Sequence, residues 1–275
     1  MDLSIIIVSF NTRDDLRNCL ASLVAHPPAV RHEIIVVDNA SRDGSADAAD
    51  TVPGVRVIRN SANLGFAAAN NVGMRLATGE CLLLLNSDTI VPAGAIDRLL
   101  ARLRRSPEVA VVGPRLVDGQ GRAEMSFGPM LSPVTEWRQR RLVKGLAAND
   151  PVIVQQVEAM TRLEQRPDWV TGACLLVRRA DAEAVGGLDE RYFMYTEDAD
   201  FCAAIRARGR GVLFTPEAEV THLRGRSAAT ASAATRAAYE RSHLAFYRKH
   251  HPLWVPLLLL MRAFGPRGAA ARDTR

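Results

Sequence analysis

An α/β fold with a mostly parallel central sheet and helices on both of its faces is predicted by three observations. Short apolar runs alternate with helical periodicities over the first 115 residues or so. The apolar runs are near-continuous rather than alternating, as in strands buried on both faces. Two of them run into a carboxylate, Asp38 after "EIIVV" and Asp88 after "LLLLNS", and ligands of open α/β sheets bind beyond the carboxyl ends of the strands.

The elements follow in order. "LSIIIVS" (Leu3–Ser9) is a buried strand, and Thr12 opens a helix in capping-box spacing with Asp15, with Leu16, Cys19, Leu20, Leu23 and Val24 on the helical period. Glu33–Val37 is the next strand, followed by a turn at Asp43-Gly44 and an N-cap at Ser45. Val55–Arg59 is a short strand; a loop through Asn63 and Gly65 then leads into an Ala-rich helix to about Ala77, with Gly79 as its stop. The Leu82–Leu85 strand, a helix from about Ala93 to Arg105 and the strand "VAVVGPRL" complete this half. Residues 121–166 show no period and read as an irregular, variable insertion. Order resumes with a strand from Trp169 to Val177, a helix whose first turn carries Glu197, Asp198 and Asp200, and two short strands in "GVLFTPEAEVTH" ending at His222.

With 275 residues and 48% hydrophobic content the chain has the material for a substantial core. Its four cysteines lie in apolar patterns without a Cys-x-x-Cys pair, which reads as reduced core thiols. The acid in Met-Asp-Leu-Ser is unlike a secretion signal, so a cytoplasmic location is expected. From Arg236 onward eight Arg/Lys face two Asp/Glu, an excess of +6 in a chain of net charge +5. The basic character thus belongs to the tail, and with no nucleic-acid motif present, nucleic acid is not an expected partner.

The segments "SIIIVSFNTRDDLRNCLASL", "IIVVDNASRDGS", "NLGFAAANNVG", "LLLLNSDTIV", "VTGACLLVRR", "YTEDADFC" and "VTHLRGRS" occur in an order that resembles the inverting glycosyltransferases of family 2, in particular their bacterial rhamnosyltransferase-like branch. The resemblance spans about residues 3–227. It implies a single GT-A (Rossmann-like) domain with a C-terminal helical tail: residues 1–115 as a nucleotide-sugar-binding half, 116–228 as an acceptor-binding half with its insertion at about 121–166, and 229–275 as the tail.

The resemblance also implies roles. Asp38 would contact the base of a dTDP- or UDP-sugar, with Ser9 and Asn11 beside it; the local alternative is an Asx turn capped by Asp38. Asn86-Ser87-Asp88 looks like the family's Asp-x-Asp motif with asparagine in the first place, Asp88 serving Mg²⁺ or Mn²⁺, which typically takes one or two protein carboxylates and leaves the rest to water and phosphates. A plain turn would read the same way. His222 is either a second metal ligand, a hydrogen-bond partner of the diphosphate, or structural. Asn63, Gly65 and Asn70 resemble the segment bordering the nucleotide, where the helix N-terminus suits an anion.

Asp198 carries over as the general base, with Glu197 or Asp200 orienting the acceptor or holding Asp198; acids in a first helical turn are also favoured by the helix dipole alone. Trp169, Gly172 and Ala173 would border the acceptor or donor sugar, though a lone Trp in an apolar strand is as often core. The implied reaction is a single displacement moving a hexose, with rhamnose from dTDP-rhamnose foremost, to a glycan or polyprenyl-linked acceptor in cell-envelope polysaccharide synthesis. A non-catalytic nucleotide-sugar-binding scaffold is the competing class. A nucleotidyltransferase is disfavoured because "VSFNTRDDL" lacks a Gly-rich basic loop.

In the tail, "YRKHHPLWVPLLLLMRAFG" places a basic cluster before the nine residues Leu253–Met261. At about 1.5 Å per helical residue these reach roughly half of a ~30 Å hydrocarbon core, so they cannot span it. Trp254 and the flanking basic residues suit an interfacial anchor at the inner face of the membrane. A helix docked on the domain or in a dimer contact is the alternative, and the oligomeric state is left open.

Overall fold

The computed structural model describes residues 1–223 and 233–264. Eight strands form one sheet in the order β3-β2-β1-β4-β9-β6-β10-β5, with β1 Leu3–Ser9, β2 His32–Asp38, β3 Val55–Arg59, β4 Cys81–Asn86, β5 Thr89–Ile90, β6 Val109–Val117, β9 Cys174–Arg178 and β10 Gly211–His222. Six strands run parallel; β9 and the two-residue β5 run against them. The carboxyl ends of β1, β2, β4 and β10 therefore share one rim, and Ser9, Asp38, Asn86 and His222 stand on it.

Strand alternation splits the apolar runs between two faces. Ile5, Ile7, Val36, Leu83 and Leu85 pack under α1 (Arg13–Ala25) and α4 (Ala95–Arg104), the latter through Leu99, Leu100 and Leu103. Ile6, Ile35, Val37, Leu82 and Leu84 pack on the other face, against α3 (Phe66–Leu76) and α8 (Glu197–Ala207), the latter through Phe201, Cys202 and Ile205. All four cysteines are free and buried, and burial lifts the Cys19 thiol to about 12, so the core-thiol reading holds. Between these helices lie α2 (Ser45–Asp50), α5 (Pro133–Ala147), α6 (Pro151–Thr161) and α7 (Arg179–Ala184).

Several local expectations are corrected. Residues 121–166 hold two well-capped helices, α5 behind a Ser132/Thr135 capping box and α6 behind Asp150. No period was visible because α5 buries no residue at all and α6 buries only Ile153, Val157 and Thr161. The stretch Trp169–Val177 is not one strand: β8 (Trp169–Val170) leaves the main sheet to pair with β7 (Phe127–Gly128), and the chain turns through 171–173 before β9. Conversely, the two strands expected in Gly211–His222 are one, interrupted by a register shift between Thr215 and Glu219. Thr12 precedes α1 but caps nothing with its side chain, and Gly44 rather than Ser45 is the cap of α2.

After the core, α9 (Ala233–His250) docks through Ala238, Ser242, His243, Phe246 and Tyr247, a stripe at helical spacing. Phe246 and Tyr247 meet Tyr192 and Ala199, with Met130, Leu131 and Trp169 packed alongside. A 3₁₀ turn (Pro252–Trp254) leads to α10 (Val255–Phe264), whose Val255 and Leu258 join the same cluster. Leu257, Leu259 and Leu260 of this helix are exposed, as are Leu253 and Trp254 before it. Among the described residues no helix is long and apolar enough to cross a membrane. Arg224–Ser227 of the last motif, the Ala/Ser/Thr stretch up to residue 232 and the basic residues beyond 264 lie outside the described residues.

Candidate active site

Backbone geometry sets the rim. Four of the positive-φ non-glycine residues, Asn11, Ala40, Tyr195 and Thr196, lie on the loops that face it, and Tyr195 and Thr196 adopt this conformation in succession directly before Glu197. Such conformations cost of order 1–3 kcal/mol each and concentrate at functional sites.

The first cluster is built on the ends of β1 and β2. Asp38 is buried; its Oδ2 accepts the Ser41 backbone N–H at 3.0 Å, while its Oδ1 is buried with no hydrogen-bond partner among the described residues. The Asx turn thus exists and uses only one carboxylate oxygen. Asn11 Oδ1 accepts the Arg42 N–H at 2.8 Å, and the Asn11 N–H donates to Ser41 Oγ at 2.9 Å, so Asn11 ties the two strand ends together. Ser9 Oγ lies 3.0 Å from Thr12 Oγ1, which in turn lies 2.9 Å from Ser87 Oγ. Thr12, expected as a helix cap, is the hydroxyl bridge from this cluster to the next.

The second cluster surrounds the turn after β4. Asp88 is buried, and its Oδ1 is 3.3 Å from His222 Nε2, while the Leu223 N–H donates to the Asp88 carbonyl at 2.8 Å. On its other side His222 Nδ1 is 3.2 Å from Glu124 Oε2. Burial disfavours the imidazolium, but the hydrogen bonds and charges of Asp88 and Glu124 outweigh it and raise His222 to about 9. Glu124 was invisible to sequence reasoning, because it lies in the stretch without periodicity and reaches the site only through the fold. Asn86 Oδ1 is also buried without a partner.

A divalent cation fits this donor set. Asp88 offers a carboxylate and Asn86 Oδ1, without a partner among the described residues, a hard oxygen; His222 adds a nitrogen once a cation displaces its Nε2 proton from beside Asp88, with waters and phosphates needed for the rest. Among the described residues no three His, Cys, Asp or Glu side chains converge as a closed metal cluster.

The third cluster stands at the start of α8. Asp198 Oδ2 accepts the Gly172 N–H at 3.0 Å and Oδ1 accepts the Ala199 N–H at 2.8 Å. Burial nevertheless holds its carboxyl above the ordinary value, against those two N–H groups. Glu197 is pushed well above the usual carboxylate range, by burial first and by the Asp198 charge second, and its Oε2 is buried without a partner. Burial, more than crowding of charges, is therefore what shifts this pair. A Cβ on Gly172 would come within 3.1 Å of the Phe66 ring and 3.6 Å of Asp198 Cβ, so a side chain there would crowd the Phe66 ring. Asp198 opens on a cavity of about 260 Å³ that is also lined by Glu136, Arg140, Trp169, Thr171, Tyr195 and Tyr239. Trp169 presents one side to this cavity and donates its indole N–H to the Pro129 carbonyl at 2.8 Å.

Backbone bonds join the second and third clusters: the Asn86 N–H donates to the Ala173 carbonyl at 2.9 Å, one residue from the Gly172 N–H that binds Asp198. Ala173 itself is buried in the core. Asp200 is engaged elsewhere. Its carboxylate accepts Tyr192 Oη at 3.1 Å, Lys249 Nζ at 2.8 Å and His250 Nε2 at 2.6 Å, which makes it the anchor of the end of α9.

The Asn63–Asn70 segment is arranged by residues that the sequence reading passed over. Asn39 Nδ2 donates to Asn63 Oδ1 at 2.9 Å and to the Gly65 carbonyl at 3.1 Å, and Asn39 Oδ1 accepts from Asn60 and Leu64. Gly65 has φ +86° and lies so close to Phe193 that a Cβ would sit 2.3 Å from its carbonyl oxygen. The Phe66 N–H donates to that oxygen at 2.7 Å, so the first N–H group of α3 is turned to the chain and not to an anion. Asn70 donates back to the Phe66 carbonyl within α3, while Asn71 holds the Leu188 backbone from both sides.

The sequence profile described as glycosyl transferase family 2 matches residues 4–156. An N-acetylglucosaminyl-diphospho-decaprenol L-rhamnosyltransferase of Mycobacterium tuberculosis (strain ATCC 25618 / H37Rv) is 32% identical over 275 residues, covering 94% of this chain and 89% of that protein. Among solved structures, a mannosyltransferase from Pyrobaculum calidifontis in complex with GDP-Man and Mn²⁺ superposes with a TM-score of 0.61 at 18% identity, over 94% of this chain and 68% of that one. S. aureus TarS 1-349 in complex with UDP-GlcNAc gives 0.59 at 17% identity, over 88% and 64%. GalNAc-T7 with UDP, GalNAc and Mn²⁺ gives 0.60 at 19% identity, over 81% of this chain and 44% of that one. At these identities the structures speak for the fold, which is GT-A.

Proposed function

The chain belongs to glycosyl transferase family 2, and we propose that it inverts the anomeric centre of a hexose, with rhamnose from dTDP-rhamnose foremost, as it moves the sugar to a polyprenyl-linked glycan acceptor. The observation that carries this reading is Asp198: a carboxylate fixed by two backbone N–H groups, raised by burial and open to a cavity at the rim of the sheet. The family match supports the activity class, and the 32% identity to a rhamnosyltransferase supports sugar and acceptor.

The geometry supports a role for each residue. Asp38 Oδ1, lacking a partner in its buried position, is suited to accept the imide N–H of a thymine or uracil ring, with Ser9 and Asn11 completing the wall beside it. Asp88, with His222 and Asn86, would hold Mg²⁺ or Mn²⁺, and such an ion when bound supplies charge neutralisation to the departing diphosphate. Ser87 lies beside them, tied through Thr12 to Ser9. Asp198 takes the proton from the acceptor hydroxyl as its oxygen attacks the anomeric carbon; Gly172 and Ala199 aim the carboxylate. Glu197, its neighbour in the helix, is buried. No covalent nucleophile is needed for a single displacement. In this reading residues 1–115 hold the donor, 116–228 the acceptor, and the tail meets the membrane surface.

The test is calorimetry of dTDP-rhamnose against UDP-hexoses, with and without Mn²⁺, on wild type and Asp88→Ala, followed by turnover of Asp198→Asn. Expected are metal-dependent binding of one donor that Asp88→Ala loses, and a fall in kcat of about 10²–10⁴-fold in Asp198→Asn with donor affinity kept. Failure of every donor to bind in the presence of metal would overturn the reading.

A further inference from the structure

Helix α5 spans fifteen residues and buries none of them. It is held by the Ser132/Thr135 capping box, by Glu136 bonded to His243 and Tyr247 of α9, by Gly145 set against Ile153 of α6, and by Leu142 and Leu146, half-buried on the cluster of Ala123, Met125, Ile153 and Val157. Beneath it two cavities remain, the 260 Å³ space at Asp198 and a larger one of about 580 Å³. They adjoin, sharing Met125, Pro129, Thr135 and Gln139 in their walls. Adjoining clefts of this size, apolar with a few polar groups, are where ligands bind.

The larger cavity has a definite chemistry. Its wall is apolar along Phe127, Leu142, Ile153 and Met160, and it carries Arg138, Arg141 and Arg166 against one acid, Asp168. Arg166 is held by Glu108 at 2.5 Å, and Asp168 by Arg206 at 2.6 Å. Arg138 and Arg141 make no hydrogen bond or ion pair among the described residues. Two uncompensated guanidinium groups over an apolar floor, continuous with the cavity of the proposed base, match an anion that carries a hydrocarbon chain on one side and a sugar on the other.

We propose that the two cavities are one acceptor site, in which Arg138 and Arg141 receive the diphosphate of a lipid-linked sugar while the sugar faces Asp198 and the first isoprene units lie along Leu142, Ile153 and Met160. This deepens the reading of a polyprenyl-linked acceptor and rests on it for the sugar; the arginine site stands on the cavity alone.

The test uses the full chain and farnesyl diphosphate as probe, by calorimetry, with farnesol and UDP as comparisons. Wild type binds farnesyl diphosphate and not farnesol, and UDP does not displace it. Arg138→Ala/Arg141→Ala weakens binding by about tenfold or more, the scale expected for lost charge-assisted hydrogen bonds. Arg138→Lys/Arg141→Lys retains part of the affinity, and removal of two exposed charges elsewhere, Arg17→Ala/Arg104→Ala, leaves it unchanged. Equal affinity in the Arg138→Ala/Arg141→Ala chain, or displacement by UDP, would overturn the site.

A kinetic arm separates the two readings. With a lipid-diphosphate-linked sugar, the double alanine variant raises the acceptor KM and leaves the donor KM as it was. Should wild type bind the probe through these arginines yet transfer to no such sugar, the acceptor reading falls and the anion site stands. Should wild type transfer and the variant show an unchanged acceptor KM, the site falls and the reading stands.

Discussion

Glu197 and Asp198 are neighbours in sequence but differ in what the fold does to them. Asp198 faces a cavity with both oxygens held by backbone N–H groups, whereas Glu197 is buried with Oε2 unpartnered. A buried carboxyl whose folded pKa lies above its ordinary value of 4.5 favours the neutral form. Its contribution to stability is present below about 4.5 and is lost as pH rises toward the folded value. Glu197→Gln, neutral at every pH, is therefore expected to gain Tm over wild type progressively as pH rises above 4.5; a Tm difference that does not change with pH would contradict the assignment. The acidic first turn is legible in the sequence, but the division of labour inside it is not, because helix-dipole preference and catalytic need select the same residues. Asp200 shows the limit plainly: two residues from the proposed base, it turns to the opposite side of the helix and binds Lys249 and His250.

Among the elements, α5 and α9 depend on one another. Glu136 of α5 accepts His243 Nε2 at 2.9 Å and Tyr247 Oη at 2.7 Å. Burial opposes its ionised form, but these bonds and the His243 charge hold its carboxyl below the ordinary 4.5. A depressed carboxylate contributes stability above the unfolded value and loses it as pH falls through the folded one. His243→Ala should cost about 1–3 kcal/mol at pH 7, a Tm drop of several degrees by thermal denaturation. The gap between variant and wild type should narrow on acidification below about 4.5; a gap independent of pH would remove Glu136 from the explanation. Neither helix pairing nor α5 itself was readable from hydrophobic period, since a helix that buries no residue leaves no stripe in the sequence. The strands of the first half were readable because continuous Ile, Leu and Val runs have few other uses in a soluble domain.

At the scale of the whole molecule, the tail packs on the domain and leaves part of its apolar surface exposed. Lys249 and His250 are committed to Asp189 and Asp200, and Val255 and Leu258 pack on the domain, so the tail is docked. Yet Leu253, 93% exposed, and Trp254, Leu257, Leu259 and Leu260 remain outside. Val255 and Leu258 of the same helix share their cluster with Met130 and Leu131, and Leu131 also lines the cavity at Asp198. Full-length protein is expected to float with vesicles containing phosphatidylglycerol, and Leu257→Asp/Leu260→Asp to lose about tenfold or more of that affinity, from lost apolar burial of roughly 1.5–3 kcal/mol per leucine. Equal flotation of the two proteins would assign that face to something other than lipid.

By itself the sequence determined the parallel core, the rim on which Asp38 and Asp88 stand, and the family, because each depends on local patterns: continuous apolar strands, turn residues and motifs at fixed spacing. The tertiary structure alone decided which of the polar residues meet. Glu124 reaches His222 across 98 residues, Asn39 organises the loop to Gly65, Thr12 bridges Ser9 to Ser87, and α9 turns Asp200 away from the site. Hydrogen bonds are short and directional, so partners far apart in the chain carry no signature in either neighbourhood until packing brings them within 3 Å or so.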